Sequence, residues 1–282
     1  MIVCGSCYRH LRRCYRFLLK TMLGEKASTT ELSVSDTHNW RTDELSWRSK
    51  MRESIRPRSM EEPVSKHSPR ALHGRLHRIA FVAAKVDPVV RELAHYRRFY
   101  SIWAIDFDLD MERLKYRGPE LVAHLLKNTL EANPNDKILD YYCASGLVGV
   151  ALKRQGFQWI DGLDISESMI RIAREKRCYT MCKRVQNEDD LNDYYDFVII
   201  CSPLENRNII VYSTAKLVRV LKPSSYLVVA QPLPNHIPDE IAAKKLIKQV
   251  ESAANLKLVK KVSVRDYIKN SMGVIAVFHP QL

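Results

Sequence analysis

The hydrophobic and polar positions of the chain fall into two textures. Residues 24–78 sustain no apolar period of 2 or 3.6, are rich in Ser, Thr, Arg and Glu, and are interrupted by Pro57, Pro63 and Pro69. Such a segment has no continuous apolar face to bury against the entropy of ordering, so it is expected to be mostly disordered linker. From residue 79 the run IAFVAAKVDPVVRELAHYRRFYSIWAIDFD is apolar and aromatic, and a folded domain is expected to begin there. Asp87-Pro88 predicts a helix start, with Val89, Leu93, Tyr96 and Tyr100 on one stripe. Gly118-Pro119 opens a second helix, in which Leu121, Leu125, Leu126 and Leu130 keep the 3.6 period until Asn133-Pro134.

After residue 134 strands and helices alternate. KILDYY, QWIDGLD, DFVIICS and YLVVAQ read as strands, while GLVGVALKRQG, SESMIRIAREK and NIIVYSTAKLVRVLKP read as helices, the second opened by Ser166 and the third stopped by Pro223. This alternation predicts right-handed crossovers and a mostly parallel sheet covered on both faces. A long helix near 237–255 and two strands, LKLVKKVSVRDYI and GVIAVFH, close the chain as a terminal antiparallel hairpin. The expected organisation is an N-terminal extension over 1–78, a helical cap over 79–133 and an α/β core over 134–282.

Composition refines this picture. The chain has 282 residues, 46% of them apolar and 27% charged, which suits one large or two modest domains, and no stretch approaches the length of a membrane span. The net charge of +13 suggests a nucleic-acid partner until its distribution is read. Residues 1–100 carry 20 basic and 10 acidic side chains and the other 182 carry 25 and 22, so the excess belongs to the N-terminal arm. That arm lacks the basic and aromatic interleaving of a stacking surface, so nucleic acid is not expected and a protein partner is preferred.

Seven scattered cysteines point to a reducing, cytoplasmic setting. Residues 1–23 are Arg-rich and acid-poor, which leaves a mitochondrial transit segment as the alternative. Cys4, Cys7, His10 and Cys14 are too tightly spaced for the usual zinc arrangement and are read as thiols near a terminus, with no metal expected. Trp40 and Trp47, seven apart, give only a faint docking signal.

In a doubly wound sheet the ligand crevice lies beyond the carboxyl ends of the strands. The turn after the first strand is Asp140-Tyr-Tyr-Cys-Ala-Ser-Gly146, and the second strand ends at Asp164, followed by Ile165. Asp164 is placed to accept ribose hydroxyls, or to cap the helix that begins near Ser166.

Residues 99–280 resemble the class I S-adenosylmethionine-dependent methyltransferases, and more closely the methyltransferase-like proteins of the Williams-Beuren syndrome chromosome region type. The resemblance rests on FYSIWAIDFDLDMERLKYRGPELVAHLL, on KILDYYCASGLVGVALKRQGFQWIDGLDISESMIRIAREK and on VRVLKPSSYLVVA. It implies a Rossmann-like seven-stranded sheet, S-adenosylmethionine as cofactor, and a small-molecule or protein methyl acceptor. It also implies an aromatic lid of Tyr100, Trp103 and Phe107, whose bland alternative is a set of cap-core contacts. Asp140, Tyr142, Ala144, Gly146, Asp164 and Ile165 are the further cofactor-site positions it implies. Asn187 and Asp189 are candidates for the adenine end, and Cys201-Ser202-Pro203 for the acceptor end.

The pattern departs from Asp-x-Gly-x-Gly-Thr-Gly at its first two glycines, where Tyr142 and Ala144 stand. Side chains at positions that come close to the ligand resist positive φ. The turn is therefore expected either to be displaced, with weaker binding, or to block the pocket. The second case would leave a catalytically inactive methyltransferase fold acting as a binding or scaffolding module.

Overall fold

The computed structural model describes residues 88–185, 191 and 193–281. The expectations for the N-terminal extension, its cysteine and histidine group, Trp40, Trp47, residues 79–87, Asn187 and Asp189 lie outside the described residues. So does the segment on which the two localisation readings turn.

Three helices form the cap: α1 (Pro88–Trp103), α2 (Phe107–Arg113) and α3 (Gly118–Asn128). The core then runs β1 (Lys137–Tyr141), α4 (Leu147–Arg154), β2 (Trp159–Asp164), α5 (Glu167–Glu175), β3 (Met181–Arg184) and β4 (Tyr195–Cys201). It continues through α6 (Arg207–Leu217), a 3-10 turn at Val218–Val220, β5 (Leu221–Pro232), α7 (Asp239–Ala254), β6 (Leu256–Ile268) and β7 (Ser271–Pro280).

The seven strands lie in the order β3-β2-β1-β4-β5-β7-β6. The first five are parallel, whereas β7 pairs antiparallel with β5 and β6, as expected for a parallel sheet closed by a terminal hairpin. Strand β4 is buried along almost its whole length because helices cover both faces, which is why DFVIICS carries no polar alternation. The order reverses between β1 and β4. Loops from those strands therefore part at their carboxyl ends and leave a crevice there.

Three elements differ from the periodic reading. Helix α6 ends at Leu217, six residues before Pro223, because the chain tightens into the 3-10 turn and Leu221 already pairs with Tyr195 at the start of β5. Helix α3 ends at Asn128 rather than running to Asn133. The third strand has four residues of mixed exposure at the sheet edge, too short and too polar to stand out as an apolar run.

Candidate functional site

Five segments wall the crevice. Helix α1 presents Leu93, Tyr96 and Tyr100, three members of the apolar stripe legible in the sequence. Tyr142 and Ala144 come from the turn after β1, and Asp164 and Ile165 from the end of β2. The end of β4 adds Ile200 to Pro203, and the start of α6 adds Asn206, Ile209 and Ile210. The space between them opens to solvent.

Tyr142 adopts φ 63°, Ala144 46° and Gly146 93°, so all three glycine-type positions of the pattern have left-handed backbone although only one holds glycine. A non-glycine residue there costs on the order of 1 kcal/mol, which the surroundings must offset. For Tyr142 the offset is visible: its hydroxyl hydrogen-bonds Ser213 Oγ on α6 at 2.8 Å, and its ring lies 4.4 Å from that of Tyr141, packed against the sheet core. The phenol thus lines the crevice and is held towards α6. Ala144 is held through its N–H, which donates to Asp164 Oδ2 at 2.9 Å.

Asp164 ties the two turns together. Besides the Ala144 contact, its Oδ1 accepts from the Ser166 N–H at 2.7 Å. Burial pushes its carboxyl up to about 6, with the backbone donors of Ser166, Ala144 and Ile165 opposing that rise. Ser166 is the N-cap of α5 and accepts from Met169 N, so Asp164 sits next to the cap and does not itself serve as one.

Asp140 and Gly146 support the site from behind. Asp140 is 1% exposed and accepts from the Tyr179 hydroxyl; burial is the main cause that raises its carboxyl to about 7. Gly146 starts α4 with its N–H donating to the Cys143 carbonyl at 2.8 Å. A side chain at Gly162 would meet the Tyr179 ring at 2.9 Å, so that ring packs directly on the β2 backbone behind the turn.

Trp103 is not part of the crevice wall. Its indole is 3% exposed, donates to Asp110 Oδ2 at 3.0 Å and packs 4.8 Å from the Phe107 ring. Within the aromatic block, the helical stripe turns Tyr100 towards the crevice and Trp103 into the cap core, the bland alternative for that position. Ile165 lines the crevice and leans on the core.

Three features have no signal in the sequence, because their partners are far apart along the chain. Asp108 of α2 accepts from Ser145 Oγ, and Lys176 Nζ sits 2.6 Å from both Asp108 Oδ2 and the Ser145 carbonyl. The cap is also bound to the second turn through Ser101 Oγ and Ser166 Oγ, 2.9 Å apart. At the β4 end, Tyr116 and Tyr267 flank Cys201, with Sγ to phenol oxygen distances of 3.1 and 3.5 Å, and the Tyr267 hydroxyl donates to the Ser202 carbonyl. Burial pushes the Cys201 thiol up to about 12 and both phenols well above their ordinary value, so all three are neutral near pH 7. None of the three is poised as a base there.

Residues 138–224 match the family described as a methyltransferase domain. The chain is 36% identical over 91 residues to the human methyltransferase-like protein 27, covering 32% of this chain and 37% of that protein. It is 43% identical over 77 residues to the Arabidopsis thaliana 18S rRNA (guanine-N(7))-methyltransferase RID2, covering 24% of this chain and 26% of that protein. The chain thus spans well under half the length of these curated relatives. Among solved structures it resembles a chain from the complex of the Haloferax volcanii Trm112 methyltransferase activator with a methyltransferase, with a TM-score of 0.51 and 18% identity over 64% of this chain and 98% of that one. The last likeness bears on fold alone. These matches reach the methyltransferase domain and do not single out the narrower Williams-Beuren group.

Proposed function

We propose that the chain carries a class I S-adenosylmethionine-dependent methyltransferase domain that binds S-adenosylmethionine in the crevice and transfers its methyl group to a small-molecule or peptidyl acceptor. One observation carries this reading: the backbone at residues 142, 144 and 146 keeps the left-handed cradle that the cofactor's methionine end requires, beside the buried carboxylate of Asp164. A side chain in the first position is compatible with that cradle because Tyr142 is drawn onto α6.

When bound, S-adenosylmethionine supplies an electrophilic methyl group on a sulfonium. Asp164, at the end of β2, would accept the ribose hydroxyls. Ile165 and Ile209 supply apolar contact for the adenine ring, and the turn of Tyr142 and Ala144 holds the amino-acid end. Ser202 and Pro203, at the end of β4, face the acceptor. The cap excludes water through Leu93, Tyr96 and Tyr100, and the ties from Ser101 and Asp108 fix its position over the turns. Alignment of the acceptor with the methyl group is the main rate contribution assigned to the protein.

The inactive-scaffold alternative draws no support from the ring placement, since it needs Tyr142 to fill the crevice. Calorimetric titration with S-adenosylmethionine tests the reading. Saturable micromolar binding by the full chain, lost in Asp164→Asn while the variant remains folded, is the expected result. Unchanged binding in that variant would remove Asp164 from the site.

A further inference from the structure

We infer that Cys143 and Cys182 form a dithiol pair that hydrogen peroxide oxidises to a disulfide, a modification site that links the redox state of the chain to the turn after β1.

The fold brings the two thiols together. Strand β3 runs beside β2 with Cys182 opposite Gly162, and Gly162 is in turn opposite Asp140 of β1. Residues in register on neighbouring strands point to the same face, so Cys182 and Asp140 flank a position that carries no side chain. Just past β1 the chain is still attached to β2, because the Cys143 N–H donates to the Leu163 carbonyl at 3.0 Å. From there the Cys143 thiol hydrogen-bonds the Cys182 sulfur; its Sγ also lies 3.8 Å from the Ala144 carbonyl oxygen.

The pair is asymmetric in access and in charge. Cys182 is half-buried on the edge strand, whereas Cys143 is buried. The hydrogen bond from Cys143 and the guanidinium of Arg174, whose Nε donates to the Cys182 carbonyl at 2.9 Å, hold the Cys182 thiol below its ordinary value, against its partial burial and the carboxylates of Asp140 and Asp164. Burial pushes the Cys143 thiol well above that value. A reachable sulfur held towards thiolate beside a protonated thiol is the arrangement in which an oxidant attacks one sulfur and the second resolves it. Cys178 also packs behind the turn, its Sγ 3.7 Å from the Gly146 carbonyl oxygen, but it is buried and burial pushes its thiol up to about 11.

The chemistry balances with hydrogen peroxide as the oxidant. The Cys182 thiolate attacks one peroxide oxygen, the oxygen–oxygen bond breaks, and the departing hydroxide takes a proton from solvent and leaves as water. Cys143 then attacks the sulfenic sulfur, the sulfur–oxygen bond breaks, and hydroxide leaves with the Cys143 proton as a second water. Two electrons pass from the thiols to the peroxide. The new bond draws the two sulfurs to about 2.0 Å. Cys143 stands between Tyr142 and Ala144, both in left-handed backbone, so the turn moves with it. Resting on the cofactor reading above, the disulfide weakens S-adenosylmethionine binding.

The test treats the full chain with hydrogen peroxide, maps disulfides by mass spectrometry of non-reduced peptides, and titrates reduced and oxidised protein with S-adenosylmethionine. The Cys143–Cys182 bridge should form, dithiothreitol should remove it, and the oxidised chain should bind at least about threefold more weakly. Cys143→Ser should leave Cys182 as a sulfenic acid that dimedone traps, and Cys178→Ser should form the bridge as wild type does. If Cys143→Ser does not fold, Cys182→Ser serves as the second variant, with Cys143 left unmodified. Oxidised wild type in which Cys143 stays free, or in which either sulfur is bridged to Cys178 or to a cysteine of the N-terminal arm, would overturn the pair. A bridged chain with unchanged affinity would overturn the link to the turn. Absence of binding by reduced, folded wild type would overturn the cofactor reading and leave the dithiol pair standing, because the peptide map does not depend on the cofactor.

Discussion

The turn after β1 carries side chains at two positions of left-handed backbone, whereas the turn after β2 places its carboxylate from ordinary extended strand. Tyr142 and Ala144 hold left-handed φ through contacts outside the turn, namely Ser213 on α6 for one and Asp164 for the other. Asp164 needs no such rescue, because it stands in extended strand and finds its donors within two residues and across the neighbouring turn. A glycine pattern thus encodes a backbone conformation, and other residues can meet it when tertiary contacts offset the local strain. A carboxylate pattern encodes a chemical group, for which there is no such substitute.

That contrast can be broken at its strong side first. Asp164→Ala should abolish measurable cofactor binding, a loss of about a hundredfold or more, because it removes the proposed ribose acceptor and leaves the backbone donors of Ser166, Ala144 and Ile165 facing an apolar methyl. Calorimetry together with circular dichroism separates loss of site from loss of fold.

Acid should sharpen the same contrast without mutation. Protonation of Asp164, at about 6, removes the charge that faces the ligand, so affinity should fall by about tenfold between pH 7.5 and pH 5. The stability change has the opposite sign. Asp140 and Asp164 titrate higher in the folded state than in the unfolded chain, so the native state binds more protons between roughly pH 4 and 7. Stability from these two groups should decline as pH rises through that window. Asp140→Asn should flatten the decline in denaturant unfolding measured across it.

The ties between cap and turns are weaker. Lys176→Met leaves Asp108 with Ser145 as its side-chain partner among the described residues, and because Asp108 is partly solvated the cost should be about 1 kcal/mol or less in urea unfolding. Smallest of all, Ala144→Gly should raise stability by up to about 1 kcal/mol, since it relieves left-handed strain without removing a hydrogen bond. A destabilised Ala144→Gly would mean that the methyl group is a packing contact and not a strained substitute.

What the sequence reveals about the fold follows from the range of the interactions. The stripe of Leu93, Tyr96 and Tyr100, the Ser166 cap and the runs of β2 and β4 are local patterns, and each appears where periodicity and capping chemistry put it. Asp164 is legible for the same reason, as an acid at the end of a strand. The four-residue β3 is not, because its place depends on pairing with β2 and not on its own apolar content. Nor is the direction of the Tyr142 ring, which is set by a serine 71 positions away. Trp103 and Tyr100 differ only in their angle around α1, so one faces Asp110 and the other the crevice, and aromatic spacing alone does not separate them. Tyr116 and Tyr267, 151 residues apart, meet at Cys201 only through the fold.

The most direct test of whether Tyr142 is a wall or a plug is parallel titration of wild type and Tyr142→Gly with S-adenosylmethionine. The expected result is micromolar binding by wild type and no tighter binding by the variant, which loses a fixed ring and gains only backbone freedom. Absence of binding by folded wild type, with binding restored in Tyr142→Gly, would show that the ring closes the crevice and would contradict the reading of this turn as an intact cofactor cradle.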